Sequence, residues 1–235
     1  MPKGEQRVGL VTGSRKGLGK FIAQQLVACG YAVFGCSRLP ADWTLEGYHH
    51  LEADVSNEQQ VKEAIAQIRR SHGRLDVVVN NAGIASLNHF LMVPASTIDK
   101  VMATNFRGAW LVSREAAKLM MKARYGRIIN VTTVAVPMRI RGEALYAASK
   151  AAVETMTRIL AHEVGEFGIT VNAVGPTPID TDLIRKVPAA SIQTIIDGLA
   201  IKRKGQPKDV MNVIDFLIRP ESDYVTGQVI YLGGA

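Results

Sequence analysis

Short runs of consecutive apolar residues recur along this chain, separated by longer segments in which apolar residues return every three or four positions. The runs predict β-strands at residues 8–11, 31–37, 50–53, 75–79, 127–131, 169–174 and 229–232. The longer segments predict helices, among them residues 18–29, 57–72 and 146–166. We predict Ser56 as the N-cap of the second helix, because a serine hydroxyl can accept a hydrogen bond from the first turn.

The alternation of strands and helices indicates the fold class. Strands that are apolar on both faces are typical of a parallel sheet that is covered by helices on each side. Strands separated by helices predict βαβ units. We therefore predict an α/β fold, a single-domain Rossmann-like doubly wound parallel sheet of about seven strands with helices on both faces, over residues 1–235.

The connection between the second and third strands departs from this pattern. Residues 38–54 include Pro40 and Gly47 and lack helical periodicity, so the helix expected there is short or absent. The adjacent His49 and His50 have no obvious third ligand. We place them at the start of the third strand, and we predict no metal site.

Composition and charge indicate a globular chain with a surplus of basic residues. Hydrophobic residues make up 47% of the chain and charged residues 21%, which is typical of soluble domains. The net charge is +7, but the basic residues are scattered among acids without interleaved aromatics, so nucleic-acid binding is not predicted. A positive field that attracts an anionic cofactor or substrate explains the surplus better.

The cysteines and the apolar runs indicate where in the cell the protein is located. Cys29 and Cys36 both lie in apolar, regular segments, so we interpret them as buried, reduced thiols. Residues 1–7 are polar and lack the apolar core of a signal peptide. No apolar run is long enough to cross a bilayer. We predict a cytoplasmic protein without a membrane partner.

A glycine-rich turn lies between the first strand and the first helix. Its glycines let the backbone approach a pyrophosphate, and the helix behind them offers free N–H groups. The spacing G-x-x-x-G-x-G, without a following Gly-Lys-Ser/Thr, favours a dinucleotide over a nucleoside triphosphate. The cofactor-binding residues predicted in this turn are Gly13, Ser14, Arg15, Lys16, Gly17, Leu18 and Gly19.

The end of the second strand indicates which dinucleotide binds. An acidic residue there would accept hydrogen bonds from the ribose hydroxyls and repel a 2′-phosphate, but the strand ends in Ser37 and Arg38. Arg38 can pair with a phosphate, Ser37 can donate a hydrogen bond to it, and Lys16 could add a second positive charge. We therefore predict NADP(H). The alternative is that Arg38 is only a solvated residue at a strand end.

Tyr146 and Lys150 stand four positions apart on the long helix, so their side chains lie on the same face. Hydride transfer to a carbonyl needs an acid that protonates the developing alkoxide. A tyrosine ordinarily titrates near pH 10, and a nearby ammonium together with an oxidised nicotinamide is expected to lower its pKa. A tyrosine and a lysine four positions apart also occur by chance on many helices. The catalytic interpretation therefore depends on the predicted cofactor-binding half that precedes them.

Several motifs occur together in one order, and with them the chain resembles the short-chain dehydrogenase/reductase family over almost all of its length. They are residues 12–19, Asp54-Val55, residues 80–83 (Asn-Asn-Ala-Gly), Asn105, Tyr146-x-x-x-Lys150 and residues 172–176 (Asn-Ala-Val-Gly-Pro). The resemblance implies that Asp54 and Val55 lie against the adenine. It implies further cofactor contacts at Asn81, Ala82, Gly83, Ile179 and Thr181.

The resemblance also implies the catalytic roles. Tyr146 would be the acid in reduction and the base in oxidation, while Lys150 would bind the nicotinamide ribose and lower the pKa of Tyr146. Asn105 would hold a water beside Lys150. The family usually has a serine at the position of Thr133, where it orients the substrate carbonyl. We expect Thr133 to do this work, since threonine keeps the hydroxyl; the alternative is a weakened site.

Within the family the chain resembles the 3-oxoacyl-(acyl carrier protein) reductases of fatty acid biosynthesis. The resemblance implies reduction of a 3-oxoacyl thioester by NADPH, a homotetramer or homodimer, and docking of acyl carrier protein at Arg124. Phe167 replaces the second docking arginine, which leaves the carrier-protein substrate open. The alternatives are an enzyme acting on another small ketone or alcohol, and a non-catalytic NADP-binding sensor.

Overall fold

Seven parallel strands form one sheet in the part of the chain that the computed structural model describes, residues 6–182, 184–185 and 187–235. The strands are β1 (Val8–Thr12), β2 (Ala32–Ser37), β3 (Tyr48–Glu52), β4 (Val77–Asn80), β5 (Gly126–Val131), β6 (Ile169–Gly175) and β7 (Val229–Tyr231). Their order across the sheet is β3-β2-β1-β4-β5-β6-β7, and each strand pairs in parallel with its neighbours. The predicted fold class is confirmed.

The strand order reverses between β1 and β4. From β1 the chain continues to β2 and β3 on one side, and it then crosses to β4 on the other. In an open α/β sheet such a reversal opens a crevice at the carboxyl ends of the two strands, where ligands bind. The glycine-rich turn follows β1 and Asn81 follows β4, so both lie at this crevice.

Helices cover both faces of the sheet, as predicted. They are α1 (Gly17–Ala28), α2 (Glu58–His72), α3 (Ala95–Met102), α4 (Gly108–Ala123), α5 (Ala135–Met138), α6 (Ala144–Val164), α7 (Ala189–Gly198) and α8 (Pro207–Ile218). Apolar side chains of α2, α4 and α6 are buried against one face of the sheet, and those of α1 and α8 against the other. A π-helical turn, Ala103–Arg107, joins α3 to α4.

The N-cap of α2 is Asn57 rather than the predicted Ser56. Asn57 Oδ1 accepts hydrogen bonds from the backbone N–H groups of Gln59 and Gln60, at 3.0 and 3.2 Å. Ser56 instead donates its hydroxyl to Asp54 Oδ1 at 2.7 Å. The helix therefore begins one residue later than predicted.

The described connection between β2 and β3 contains no helix, in agreement with the prediction. Trp43 stacks on Tyr48 of β3 with ring centroids 4.1 Å apart, and its indole N–H donates to Arg15 O at 3.1 Å. An aromatic side chain thus fastens this connection to the glycine-rich turn. His49 and His50 lie near the start of β3, as expected.

The predictions about the two cysteines differ in outcome. Cys36 is buried in β2, but Cys29 is exposed at the C-cap of α1, so the prediction of a buried thiol there is wrong. Cys29 is exposed because it stands where the helix ends. Among the described residues, no helix is long and apolar enough to span a membrane. Residues 1–5 lie outside the described residues, and the cytoplasmic location stays a prediction.

Candidate active site

A cleft of about 390 Å³ opens where the loops after β1, β4, β5 and β6 meet the start of α6. It brings most of the predicted site residues together, namely Gly13, Lys16, Gly17, Leu18, Gly19, Asn81, Ala82, Gly83, Thr133, Tyr146, Lys150, Ile179 and Thr181. The predicted residues that do not line it are Ser14, Arg15, Ser37, Arg38, Asp54, Val55 and Asn105.

The glycine-rich turn is held tightly against the end of β4. Thr12 Oγ1 accepts a hydrogen bond from the Asn81 backbone N–H at 3.0 Å. A Cβ on Gly19 would overlap the carbonyl oxygen of Gly13, which itself has φ +68°, so both positions need glycine. Lys16, the N-cap of α1, makes no side-chain bond to the first turn, which leaves N–H groups for an anion. The turn therefore fits the pyrophosphate of a dinucleotide.

Three residues predicted to contact the cofactor use their side chains elsewhere. Ser14 is buried, and its hydroxyl pairs with the Tyr48 hydroxyl at 2.9 Å. Val55 is buried against Gly108 of α4. Asp54 Oδ1 accepts a hydrogen bond from the backbone N–H two residues ahead, at 2.9 Å. Ser14 can therefore reach a cofactor only through its backbone, while Asp54 keeps its second oxygen.

The basic residues near the end of β2 are arranged differently from the prediction. Lys16 forms an ion pair with Asp182 across the cleft, so its ammonium is not directed to the end of β2. Arg15 leans over the β2–β3 connection instead, where its Nε donates to Pro40 O at 3.1 Å. Arg38 is exposed, and within the described residues its side chain has no ion pair or hydrogen bond. Arg15, rather than the predicted Lys16, is therefore the basic side chain that accompanies Arg38 at this end of the sheet.

The Ser37 hydroxyl is already hydrogen-bonded within the same loop. Its Oγ donates to Leu39 O at 2.6 Å and lies 3.0 Å from His50 Nε2. A phosphate bound here would have to draw the Ser37 proton away from Leu39 O. Arg38 is therefore a stronger candidate phosphate ligand than Ser37.

Tyr146, Lys150 and Thr133 meet on one wall of the cleft. Tyr146 lies in the first turn of α6, with Lys150 one turn later. The Lys150 ammonium is buried and donates to Val131 O, at the end of β5, at 2.7 Å. Thr133 follows the same strand end. One helix and one strand thus hold a phenol, an ammonium and a hydroxyl together.

Burial dominates the ionisation of Tyr146 and Lys150. It raises the pKa of the Tyr146 phenol above its ordinary value, the Glu143 carboxylate raises it further, and the Thr133 hydroxyl lowers it. Burial also lowers the pKa of the Lys150 ammonium to about 8. The expected lowering of the Tyr146 pKa by Lys150 is therefore not found. An oxidised nicotinamide beside the phenol is the cation that can still lower it.

Replacing Lys150 with methionine should change how stability depends on pH. Between pH 8 and 10.5 the unfolded chain binds more protons at Lys150 than the native protein does, because burial lowers the native pKa from 10.5 to about 8. The free energy of unfolding therefore gains about 3 kcal/mol across this window in the wild type. The Lys150→Met variant should lack that gain. Urea denaturation at several pH values measures it, and a wild-type–variant difference that stays constant with pH would contradict it.

Asn105, in the π-helical turn, is hydrogen-bonded to α6. Its Oδ1 accepts from the Ile84 N–H at 2.8 Å, and its Nδ2 donates to Ile84 O at 3.0 Å and Ser149 Oγ at 2.9 Å. A Cβ on Gly83 would lie 3.3 Å from Lys150 Nζ and 3.4 Å from Asn105 Oδ1, so the two polar atoms converge on this glycine. For the predicted water, Asn105 has one remaining Oδ1 lone pair to offer.

Three acidic residues around the cleft are absent from the predicted site. Glu143 and Asp182 line it. Glu154 is buried below it, where it accepts hydrogen bonds of 2.6 Å from the hydroxyls of Thr132 and Tyr231. Helical spacing could have revealed two of them, since Glu143 precedes Tyr146 by three positions and Glu154 follows Lys150 by four.

The chain matches known proteins over nearly its whole length. A family model described as enoyl-(acyl carrier protein) reductase matches residues 13–234. The chain is 35% identical over 237 residues to the 3-oxoacyl-[acyl-carrier-protein] reductase FabG of Pseudomonas aeruginosa, covering 97% of this chain and 96% of that protein. It is 33% identical over 225 residues to the 3-oxoacyl-[acyl-carrier-protein] reductase MabA of Mycobacterium bovis, covering 96% of this chain and 90% of that protein.

A solved structure shows the same fold. The ligand-free aldohexose dehydrogenase AldT of Thermoplasma acidophilum superposes with a TM-score of 0.89 at 30% identity, covering 98% of this chain and 94% of that one. The matches therefore include both the glycine-rich turn and the helix of Tyr146 and Lys150. The chain belongs to the short-chain dehydrogenase/reductase family, and it is an oxidoreductase of the kind that acts on CH–OH or C=O groups with a nicotinamide cofactor.

Proposed function

We propose that this protein reduces a 3-oxoacyl thioester to the 3-hydroxyacyl thioester with NADPH, as a step of fatty acid biosynthesis. The observation that carries the proposal is the convergence of Tyr146, Lys150 and Thr133 in one cleft with a turn shaped for pyrophosphate. The relatives named 3-oxoacyl-[acyl-carrier-protein] reductase, at 33–35% identity over nearly the whole chain, support the substrate class.

The residues of the cleft suit reduction of a ketone. When bound, NADPH supplies the hydride to the carbonyl carbon, and negative charge develops on the oxygen. Thr133 can donate a hydrogen bond to that oxygen, and Tyr146 can transfer its proton to it, which completes the alcohol. The raised pKa of Tyr146 keeps the phenol protonated at neutral pH, as a proton donor requires. Lys150 can bind a ribose hydroxyl beside it.

The choice of NADPH rests on Arg38. Its guanidinium is exposed with no partner in the described residues, Arg15 lies over the neighbouring loop, and no acid ends β2. A charge-assisted hydrogen bond contributes about 1.5–3 kcal/mol, so Arg38→Ala should raise the KM for NADPH about 10- to 150-fold. The KM for NADH should change little. Steady-state kinetics with both cofactors measures this, with the exposed Arg70→Ala of α2 as a control. An equal loss with NADH would contradict the assignment.

A substrate panel tests the proposed reaction. Oxidation of NADPH by acetoacetyl thioesters is the expected result. Activity only on other small ketones, or on sugars such as aldohexoses, would instead favour the alternative enzyme. Binding of NADPH without turnover of any carbonyl compound would favour a sensor.

Acyl carrier protein is proposed as the partner because the chain carries a net charge of +7. Arg124, however, ends α4 at the amino end of β5, and its Nη2 donates to Glu166 O at 2.6 Å. The six residues of β5 span about 20 Å, so Arg124 lies at the opposite edge of the sheet from the cleft of the same chain. A carrier protein that docks at Arg124 would therefore serve the cleft of another copy.

A homodimer or homotetramer is proposed from the apolar surface of α4 and α6. Trp110 of α4 is 44% exposed and Ile159 of α6 is 53% exposed. These two helices pack against each other, so the two side chains belong to adjacent elements. Burial of such side chains between copies would stabilise an oligomer. Light scattering after gel filtration gives the number of copies.

A further inference from the structure

Glu143 carries a carboxylate that the proposed reaction does not use. It is the N-cap residue of α6, yet its side chain makes no hydrogen bond to the first turn of that helix. The side chain is partly buried and lines the cleft. Within the described residues it has no ion pair and no hydrogen bond. Glutamate is not among the preferred N-cap residues, and the Glu143 carboxylate is available to a molecule in the cleft.

No cation of the described residues is paired with the Glu143 carboxylate. The residues that line the same cleft include Ile140, Ile184 and Val187, which are apolar. Among the described residues that line the cleft, Lys16 is paired with Asp182, and the Lys150 ammonium donates to a backbone carbonyl. The phenol of Tyr146 lies within electrostatic reach of Glu143, since the carboxylate raises its pKa.

A substrate that binds beside Tyr146 would remove water from this carboxylate. A buried carboxylate without a donor is costly, and a second negative charge next to it is costlier still. A hydroxyl or an amide N–H can offset the loss of water by donating a hydrogen bond.

We propose that Glu143 determines substrate specificity: it admits neutral carbonyl compounds and excludes those that carry a carboxylate beside the carbonyl. This inference rests on the proposed function. It explains how the site would separate a 3-oxoacyl thioester, whose acid is masked, from the corresponding free 3-oxo acid. Glu143 acts here by charge and takes no part in the transfer of hydride or proton.

Glu143→Gln tests the proposal, because glutamine has nearly the shape of glutamate without its charge. Acetoacetate, its ethyl ester and the acetoacetyl thioester of N-acetylcysteamine serve as probes. The kcat/KM of each probe should be measured with NADPH. The dissociation constant of each probe should be measured with the protein saturated with NADP⁺. In the glutamine variant, the kcat/KM for acetoacetate relative to that for the ester should rise at least about tenfold. The dissociation constant of acetoacetate relative to that of the ester should fall by a similar factor. Glu143→Asp should keep most of the wild-type discrimination, and Glu163→Gln, on the exposed face of α6, should keep all of it.

The two kinds of measurement separate the inference from the proposed function. If the wild type reduces the ester or the thioester and Glu143→Gln leaves the ratio of acetoacetate to ester unchanged, Glu143 does not set specificity, although the proposed function stands. If no probe is turned over but the ratio of dissociation constants changes as expected, the proposed function fails and the role of Glu143 stands. An unchanged ratio of dissociation constants also overturns the inference.

Discussion

Replacing Tyr146 with phenylalanine should lower kcat for ketone reduction about 10²- to 10⁴-fold, which is the usual contribution of a positioned general acid. The ring, and with it the packing at the start of α6, is retained, so the loss comes from the hydroxyl alone. Lys150 keeps its hydrogen bond to Val131 O, so the affinity for NADPH should change little. Stopped-flow oxidation of NADPH and fluorescence titration of the cofactor measure the two effects separately.

Tyr125→Phe is the matched control for this variant. The Tyr125 hydroxyl is buried and has no hydrogen-bond partner in the described residues, and it lies at the amino end of β5, away from the cleft. Its removal should leave kcat unchanged. If Tyr146→Phe kept more than about a tenth of the wild-type kcat, the proton would have to come from another group, and the chemistry assigned to α6 would be wrong.

The sheet can be predicted from the sequence because each strand is a short apolar run. All the strands, from Val8–Thr12 to Val229–Tyr231, lie within two residues of their predicted bounds. Helix α4 is harder to recognise. Nine of its sixteen residues are buried, and it continues from a π-helical turn, so the polar face that would mark its period is reduced.

The site can be predicted as far as its residues belong to contiguous motifs. The glycine-rich turn and the pair of Tyr146 and Lys150 are recognisable from spacing, and the fold brings them to one cleft. The partners of individual side chains depend on contacts distant in sequence. Lys16 meets Asp182, 166 positions away, and the hydroxyl of Ser14 meets Tyr48. No local pattern contains those pairings, so the sequence alone does not show where the side chains of Lys16 and Ser14 bond.

The ionisation of Tyr146 shows the same limit in electrostatic terms. Its spacing from Lys150 suggests that an ammonium lowers the pKa of the phenol, but the balance depends on burial and on Glu143. Burial acts on both partners, since it disfavours the charged phenolate and the charged ammonium alike. The proton donor is therefore well suited to reduction at neutral pH, while oxidation depends on the positive charge of the bound nicotinamide.

Thr133→Val should lower kcat/KM for the ketone about 10²- to 10³-fold, the range found when one donor to a developing oxyanion is removed. Valine keeps the β-branched shape of threonine and lacks the hydroxyl. Thr133→Ser should keep activity within about tenfold of the wild type, since it restores the donor on a freer side chain. Thr170→Val in β6 is the control, because the Thr170 hydroxyl is buried without a partner in the described residues.

The surroundings of Thr133 make this variant informative. The preceding residue, Thr132, is anchored by a 2.6 Å hydrogen bond to the buried Glu154, and Thr133 Oγ1 itself accepts from the Ala135 N–H at 3.2 Å. The substitution leaves the Thr132 anchor in place and removes the bond to the Ala135 N–H. The loss of activity therefore reflects the missing donor to the substrate only if the strand end keeps its position. Thermal melts within a few degrees of the wild type would support that reading. If Thr133→Val then kept more than about a third of the wild-type kcat/KM, Tyr146 alone would orient the carbonyl, and the threonine would be only a structural substitute for the family's serine.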